Sequence, residues 1–227
     1  MQTDKPVLAL FDFCETLIKF QTGDAFVHFC REKTGSWRMK AIQRLTRVLR
    51  SLRVFTVLGI LAPKRPWHKQ MVLSQLKGIP YEKLNELAKA YLSERLLPSM
   101  VPVVKEKLLQ HIARHDRIWI VSGGYDAYIS KFANHFGIDG ILASRIGFDH
   151  NGKCTGRLLG MDCMGLNKVR LLENKIGDAR SNYHIVGYSD SKSDLPFLNY
   201  VDEGYVISHN ESQQWAKDNS LKEIIWD

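Results

Sequence analysis

Short apolar runs alternate with longer stretches of helical period along this chain. Residues 7–11 are uninterruptedly apolar and end in Asp12, and residues 117–121, apolar after Arg117, end before Ser122, Gly123 and Gly124. Such runs read as parallel strands buried on both faces, with carboxyl ends that open into loops. Further strands are expected at 141–143, 183–187 and 204–207, with an edge strand over 223–226. A hairpin is expected from 145–148 and 154–158 around Asp149-His150-Asn151-Gly152. Helical period predicts helices near 103–114, 125–136, 165–176 and 194–199, and a mostly helical insertion over 22–95. Pro98 to Pro102 mark the return from that insertion. This alternation predicts an α/β fold on a doubly wound, Rossmann-like parallel sheet.

Composition changes this picture little. A chain of 227 residues with 44% hydrophobic content can hold one sizeable core plus an inserted subdomain. The expected division is a core of residues 1–20 and 97–227 with a helical insertion over 21–96. The four cysteines, at 14, 30, 154 and 163, have no paired spacing. They read as reduced thiols, and the chain is expected to be cytoplasmic. The first residues run straight into a strand without a signal-peptide pattern, and no run of 18 apolar residues occurs.

Charge changes it more. Residues 31–70 hold eleven Lys and Arg against one acid, Glu32, a net of +10, whereas the whole chain carries +8. The remaining residues therefore sum to −2, and all the excess lies in the insertion. Arg44, Arg47, Arg50 and Arg53 recur every three residues, with Leu45, Val48, Leu49 and Leu52 between them, as in an amphipathic basic helix. An apolar stretch over 54–62 follows, too short to span a bilayer, and Trp37 and Trp67 flank the region. One account is a helix packed by its apolar face, with its arginines solvated. Another is peripheral contact with an anionic membrane surface or recognition of a lipid phosphate. A partner-docking helix is a third. Nucleic acid is not expected, because no aromatic-interleaved platform accompanies the charge.

The strand ends carry the chemistry. A carboxylate such as Asp12 at a strand's carboxyl end can be a nucleophile or a metal ligand, or can simply cap a turn. Ser122 offers a hydroxyl, and the glycines after it let backbone N–H groups approach an anion. Lys168 opens a helical pattern after Gly165. Asp190 and Asp194, four apart in a loop after the strand at 183–187, suit Mg²⁺, a hard cation that takes a few oxygen ligands and keeps its waters. Asp24 and Asp126 sit at helix starts and read as capping carboxylates, with Asp24 alternatively facing a substrate. His28, His68, His111, His115 and His135 lie in helical patterns and read as surface or core-edge residues. Cys30 reads as buried and Cys163 as packing in the loop before Lys168.

In this order the segments resemble the four motifs of the haloacid dehalogenase superfamily, spread over residues 7–207. Asp190-Ser191-x-x-Asp194-x-Pro196, Thr155-Gly156-Arg157 and Cys163-x-Gly165-x-x-Lys168 are similar to its phosphoserine-phosphatase-like branch. The resemblance implies a Mg²⁺-dependent phosphomonoester hydrolase with a helical cap inserted after the first strand. It implies that Asp12 attacks phosphorus and forms an aspartyl-phosphate. Ser122, the Gly123 N–H and Lys168 would hold the phosphoryl oxygens. Asp190, Asp12 and the backbone carbonyl of Cys14 would bind Mg²⁺, and Asp194 would support the metal directly or through water.

One position departs from the family pattern. Where the family carries a second Asp as proton shuttle, this chain has Cys14. A thiol with an ordinary pKa near ~8.5 can donate a proton to an alkoxide but is a poor base for water at pH 7. Losing a general acid–base costs ~10²–10⁴ in rate. Three readings stay open. Cys14 is a slower or redox-sensitive donor, the substrate has a good leaving group or supplies its own proton, or hydrolysis is lost and a phosphate-binding or transfer protein remains. Glu15 is adjacent but is expected to point away. The branch's phosphoserine contacts are missing too. Gln21 stands where an acid would hold the ammonium, and residues 71–74 contain no arginine for the carboxylate. The expected substrate is a larger anionic phosphate ester, lipid- or glycan-linked, a class that includes the substrates of the related phosphatidylglycerophosphate phosphatases.

Overall fold

The computed structural model describes residues 5–35, 41, 42, 44, 45, 48, 49, 51 and 67–227. Seven strands form one sheet: β1 (Val7–Phe11), β2 (Arg117–Tyr125), β3 (Gly140–Phe148), β4 (Cys154–Leu159), β5 (His184–Ser189), β6 (Glu203–His209) and β7 (Lys222–Trp226), in the order β4-β3-β2-β1-β5-β6-β7. All neighbours are parallel except the β3–β4 hairpin. The chain starts at the sheet's centre, winds outward through β2 and β3, then returns to the other side of β1 for β5, β6 and β7. Beside β1 the winding reverses, and ligands of open α/β sheets bind at the carboxyl ends there.

Side chains of β1 alternate between two cores, as the period of two requires. Leu8 and Leu10 pack with Val121, Leu172, Ile185 and Phe197 on one face, while Ala9 and Phe11 join the larger cluster on the other. The register also aligns an aromatic ladder. Phe11 opposes Tyr188, which opposes Tyr205, with ring centroids 4.5 and 5.3 Å apart and nearly parallel planes.

The insertion contributes α1 (Thr22–Thr34), α2 (Trp67–Ser74) and α3 (Tyr81–Tyr91), the last running into a π-helical turn, Leu92–Leu96. The core helices are α4 (Pro102–Ala113), α5 (Asp126–Phe136), α6 (Leu166–Ile176), α7 (Leu195–Tyr200) and α8 (Gln214–Asp218). Insertion and core share apolar surface. Phe26 of α1 and Tyr91 of α3 lie 5.1 and 5.4 Å, ring to ring, from Tyr128 of α5.

Several boundaries differ from those read in the sequence. β2 runs on through the two glycines to Tyr125, and β3 is one strand where a break at Ser144 was expected. Pairing of Ser144 with Tyr125, across a register shift, carries both strands past the polar positions. Asp126 does not cap α5. Its carboxylate accepts the Ile146 N–H at 3.0 Å and ties the helix to β3. Of the basic helix, residues 41, 42, 44, 45, 48, 49 and 51 are helical, and Leu45 and Val48 are 51% and 53% exposed. Arg47, Arg50, Leu52, Arg53, Trp37 and the apolar stretch 54–62 lie outside the described residues. Among the described residues, no helix is long and apolar enough to cross a membrane.

His111, expected at the surface or core edge, is buried beneath the ladder. Its Nε2 lies 2.9 Å from the Tyr188 hydroxyl and its Nδ1 2.7 Å from Asp116. Burial lowers its pKa below the ordinary 6.5, with Arg114 and Lys107 acting the same way and Asp116 opposing them. The unfolded chain therefore takes up this proton first as pH falls. The neutral imidazole's contribution is present above pH ~6.5 and is lost as pH drops toward the depressed folded value. The stability difference between wild type and His111→Gln should change below pH 6.5 by up to about 1.4 kcal/mol per pH unit. That corresponds to about 2–4 °C in Tm per kcal/mol, to be read by thermal melts from pH 7.5 to 5. Parallel curves would refute a neutral buried His111.

Candidate active site

Three adjacent strands deliver three polar residues to one edge of the sheet. Asp12 follows β1 directly, and its N–H donates to the Tyr188 carbonyl at 2.9 Å, so the β1–β5 ladder fixes its backbone. Asp190 follows β5, and Ser122 lies toward the carboxyl end of β2. Lys168 arrives from the opposite side, in the first turn of α6, where Gly165 (φ +52°) turns the chain into the helix.

Lys168 is buried and donates to Asp12 Oδ1 at 2.8 Å and to Asp194 Oδ2 in a short contact. Ser189 also donates to Asp194 Oδ2, at 2.6 Å. One oxygen of that carboxylate thus fixes Lys168; the resemblance gives Asp194 support of the metal, directly or through water. Thr16, given no role from sequence, bridges the other two acids. Its hydroxyl donates to Asp190 Oδ1 at 2.9 Å and accepts the Asp190 N–H at 3.0 Å, with Asp12 Oδ2 3.4 Å away. Its signal was a hydroxyl four residues after the strand-terminal aspartate.

The charges here are poorly balanced. Burial, reinforced by the nearby charge of Asp12, pushes Asp190 up to about 7. Burial also raises Asp12, against the pull of Lys168. Burial alone would depress Lys168, but the flanking carboxylates outweigh it and hold the ammonium charged. Two carboxylates that resist ionising together form a donor set that a divalent cation would relieve. No three acidic, His or Cys side chains converge on a cation site among the described residues. Asp12 and Asp190 would fit a hard ion, with water among its remaining ligands.

Gly124 is sterically required: a Cβ there would lie 2.7 Å from the Tyr128 hydroxyl and 2.9 Å from Ile129 Cδ1, both on buried side chains, whereas one on Gly123 would meet the exposed, movable Met164 side chain at 2.5 Å. The Gly124 N–H donates to Ser122 Oγ at 3.2 Å, which fixes the hydroxyl from below.

Cys14 Sγ lies 2.9 Å from Thr22 Oγ1, which in turn lies 2.6 Å from the Tyr128 hydroxyl. Burial, with the Asp12 charge adding to it, pushes the thiol up to about 11. It stays protonated at neutral pH and is a donor, not a base. Glu15 (φ +57°) is bonded by the Gln21 amide in a short contact.

These groups share one cavity of about 370 Å³, lined by Asp12, Cys14, Ser122, Gly123, Lys168, Asp190 and Asp194. The structure thus brings together every residue to which the resemblance gives a catalytic, phosphate-binding or metal role. Its outer wall comes from the insertion. Asp24, read mainly as a cap, lies at the wall with its carboxylate 3.7 Å from His68, and Lys69 stands beside them. Sequence reasoning set His68 aside and counted Lys69 only as charge.

A central parallel sheet with an acid at its switch point, two further acids and a lysine defines a Rossmann-like hydrolase core. The sequence pattern of the haloacid dehalogenase-like hydrolases matches residues 9–199, and the chain belongs to that family. It is 24% identical over 151 residues to a histidinol-phosphatase of Neisseria meningitidis, covering 64% of this chain and 68% of that one. A solved protein of unknown function from Bordetella pertussis superposes with a TM-score of 0.79 at 21% identity, over 97% of this chain and 98% of that one. A substrate-bound phosphoserine phosphatase superposes with a TM-score of 0.62 at 20% identity, over 98% and 94% of the two chains.

Proposed function

We propose that the protein is a Mg²⁺-dependent phosphomonoesterase that works through an aspartyl-phosphate on Asp12. The carrying observation is the strand-end constellation, with Asp12 held 2.8 Å from the Lys168 ammonium inside a cavity large enough for a phosphate ester. The similarity to a histidinol-phosphatase supports the reading.

Asp12 attacks phosphorus. An Asp12 O–P bond forms and the ester P–O bond breaks. Lys168, Ser122 and the Gly123 N–H would face the phosphoryl oxygens as charge spreads over them. Bound Mg²⁺ would neutralise charge shared between Asp12, Asp190 and the phosphoryl group. The Cys14 thiol supplies a proton to the leaving oxygen and is reprotonated by solvent. Once restored, the thiol has no base form at neutral pH to activate the attacking water, so release of phosphate from Asp12 is the slow half-reaction.

The substrate is a larger anionic ester, lipid- or glycan-linked. Gln21 lines the cavity where phosphoserine recognition needs an acid, and α2 contains no arginine. Exposed Leu45 and Val48 beside exposed Arg44, within a stretch of net +10, suit peripheral contact with an anionic bilayer. The alternative is a phosphate-binding or phosphotransfer protein, favoured by the missing base at Cys14.

The test is phosphate release, with and without Mg²⁺, from soluble sugar and alcohol phosphates and from lipid phosphates in anionic or neutral vesicles. Mg²⁺-dependent release, highest with anionic vesicles, is expected. Equal release from neutral vesicles would remove the membrane reading. Release only with an added acceptor alcohol would make the protein a transferase. No release from any ester would leave the binding reading.

A further inference from the structure

We infer that Lys69, a cap residue outside the motifs, is a positioning residue that assembles the phosphate-facing loops when α2 seats on the core. The inference deepens the proposed function and rests on that reading of the cavity.

Among the described cap residues, Lys69 reaches into the core's hydrogen-bond network through three bonds. Its Nζ donates to the Gly123 carbonyl at 2.5 Å, to Ser144 Oγ at 3.0 Å and to Asp162 Oδ1 at 2.5 Å. An ammonium has three protons, and all three are placed. The side chains of Lys69 and Asp162 are 15% and 14% exposed, so the pair is largely withdrawn from water. Lys69 lines the cavity, but with its donors used it does not serve as a phosphate ligand.

What it holds is informative. The Gly123–Gly124 peptide has Lys69 on its carbonyl end and Ser122 Oγ on its N–H end, so one peptide plane links the cap lysine to the site hydroxyl. On the other side, Asp162 opens the loop that leads to Lys168. Its backbone carbonyl accepts the Asn167 side-chain amide at 3.1 Å, and Ser144 Oγ donates to its carboxylate and accepts the Cys163 N–H at 3.2 Å. Lys69 therefore clasps the two segments that face the phosphoryl oxygens, residues 122–124 and 162–168. Without it, the Gly123–Gly124 peptide loses an orienting donor. Asp162 would then be a nearly buried, unpaired anion beside an anion site. Both effects oppose phosphate binding, and neither requires Lys69 to touch the ligand.

The experiment compares wild type, Lys69→Met and Lys69→Arg in Mg²⁺ buffer. Calorimetric titration with inorganic phosphate, kcat/KM for p-nitrophenyl phosphate and amide exchange across residues 120–126 and 160–168 are measured. Lys69→Met should weaken phosphate binding about 10-fold, lower kcat/KM about 10²-fold and speed exchange in both segments. Lys69→Arg keeps the charge, but its planar fork cannot seat three convergent acceptors, so it should recover part of each loss. If Lys69→Met is too unstable to assay, the Arg variant alone should still lose about 3-fold in phosphate affinity. Phosphate affinity and kcat/KM within about twofold of wild type in the folded variants would overturn the inference and leave Lys69 a structural tie. A wild type that binds phosphate but hydrolyses nothing would refute the phosphatase reading, and the binding and exchange comparison would still decide the role of Lys69. A wild type that does not bind phosphate would overturn both.

Discussion

Replacing Asp12 by Asn should abolish phosphate release, by about 10⁴-fold or more, because it removes the attacking group itself. The fold should survive. Asp12 is buried beside Asp190 and Asp194, so Asn relieves repulsion between carboxylates, while Lys168 keeps its contact with Asp194. Metal-free Tm is expected to stay within a few degrees of wild type. The metal response should differ more. Ligand that binds only the folded state stabilises by about 2.7 kcal/mol at 100 times its Kd, and wild type offers two carboxylates to Mg²⁺ where the variant offers one. Saturating Mg²⁺ should therefore raise the wild-type Tm by several degrees more than that of Asp12→Asn. Acid-quenched wild type incubated with labelled ester should also carry label that hydroxylamine releases, as expected of an acyl phosphate, and the variant should carry none. Equal turnover by the two proteins would remove Asp12 as nucleophile, and with it the proposed mechanism.

Much of this site was legible in the sequence because strand ends leave a strong local signature. An apolar run stopped by Asp12, and another stopped by Ser122 and two glycines, announce buried strands whose chemistry begins where the apolar run ends. Since β2, β1 and β5 are neighbours, residues more than a hundred positions apart meet without any side-chain pattern having to say so. The illegible residues act across the fold. Thr16 matters because β1 and β5 are adjacent. Lys69 matters because α2 packs on β4 and its side chain reaches across to the carboxyl end of β2. In the sequence both are ordinary polar residues in helix- or turn-like contexts. Ser144 and Asp126 misled for the same reason: a polar residue mid-run suggested a break, and an acid at a helix start suggested a cap, but tertiary hydrogen bonds to Lys69 and Ile146 supplied the partners.

Cys14 was visible from the start, and its neighbours make its replacement the most informative gain-of-function experiment. The thiol sits at the end of a hydroxyl chain, with Thr22 2.9 Å away and Tyr128 beyond it. Turned in the other sense, those hydroxyls would donate toward a carboxylate, so Cys14→Asp should be accommodated with its oxygen bonded by Thr22. Burial and the charge of Asp12, which push the thiol up to about 11, would also lift a carboxyl above its ordinary ~3.9 toward neutrality, where a proton shuttle works best. The two half-reactions should respond differently. With p-nitrophenyl phosphate, whose leaving group needs no proton, kcat/KM reports phosphorylation of Asp12 and should change little. kcat, limited in wild type by attack of water on the aspartyl-phosphate, should rise by about 10²-fold or more, and the wild-type burst of nitrophenol should disappear. Alkyl phosphates should gain in both parameters because their leaving oxygen also needs the proton. A folded Cys14→Asp protein that forms the aspartyl-phosphate with no gain in kcat would show that the proton shuttle is not what limits this site. The water-accessible geometry itself would then be lost, and the protein would hold or pass on a phosphoryl group instead of hydrolysing it.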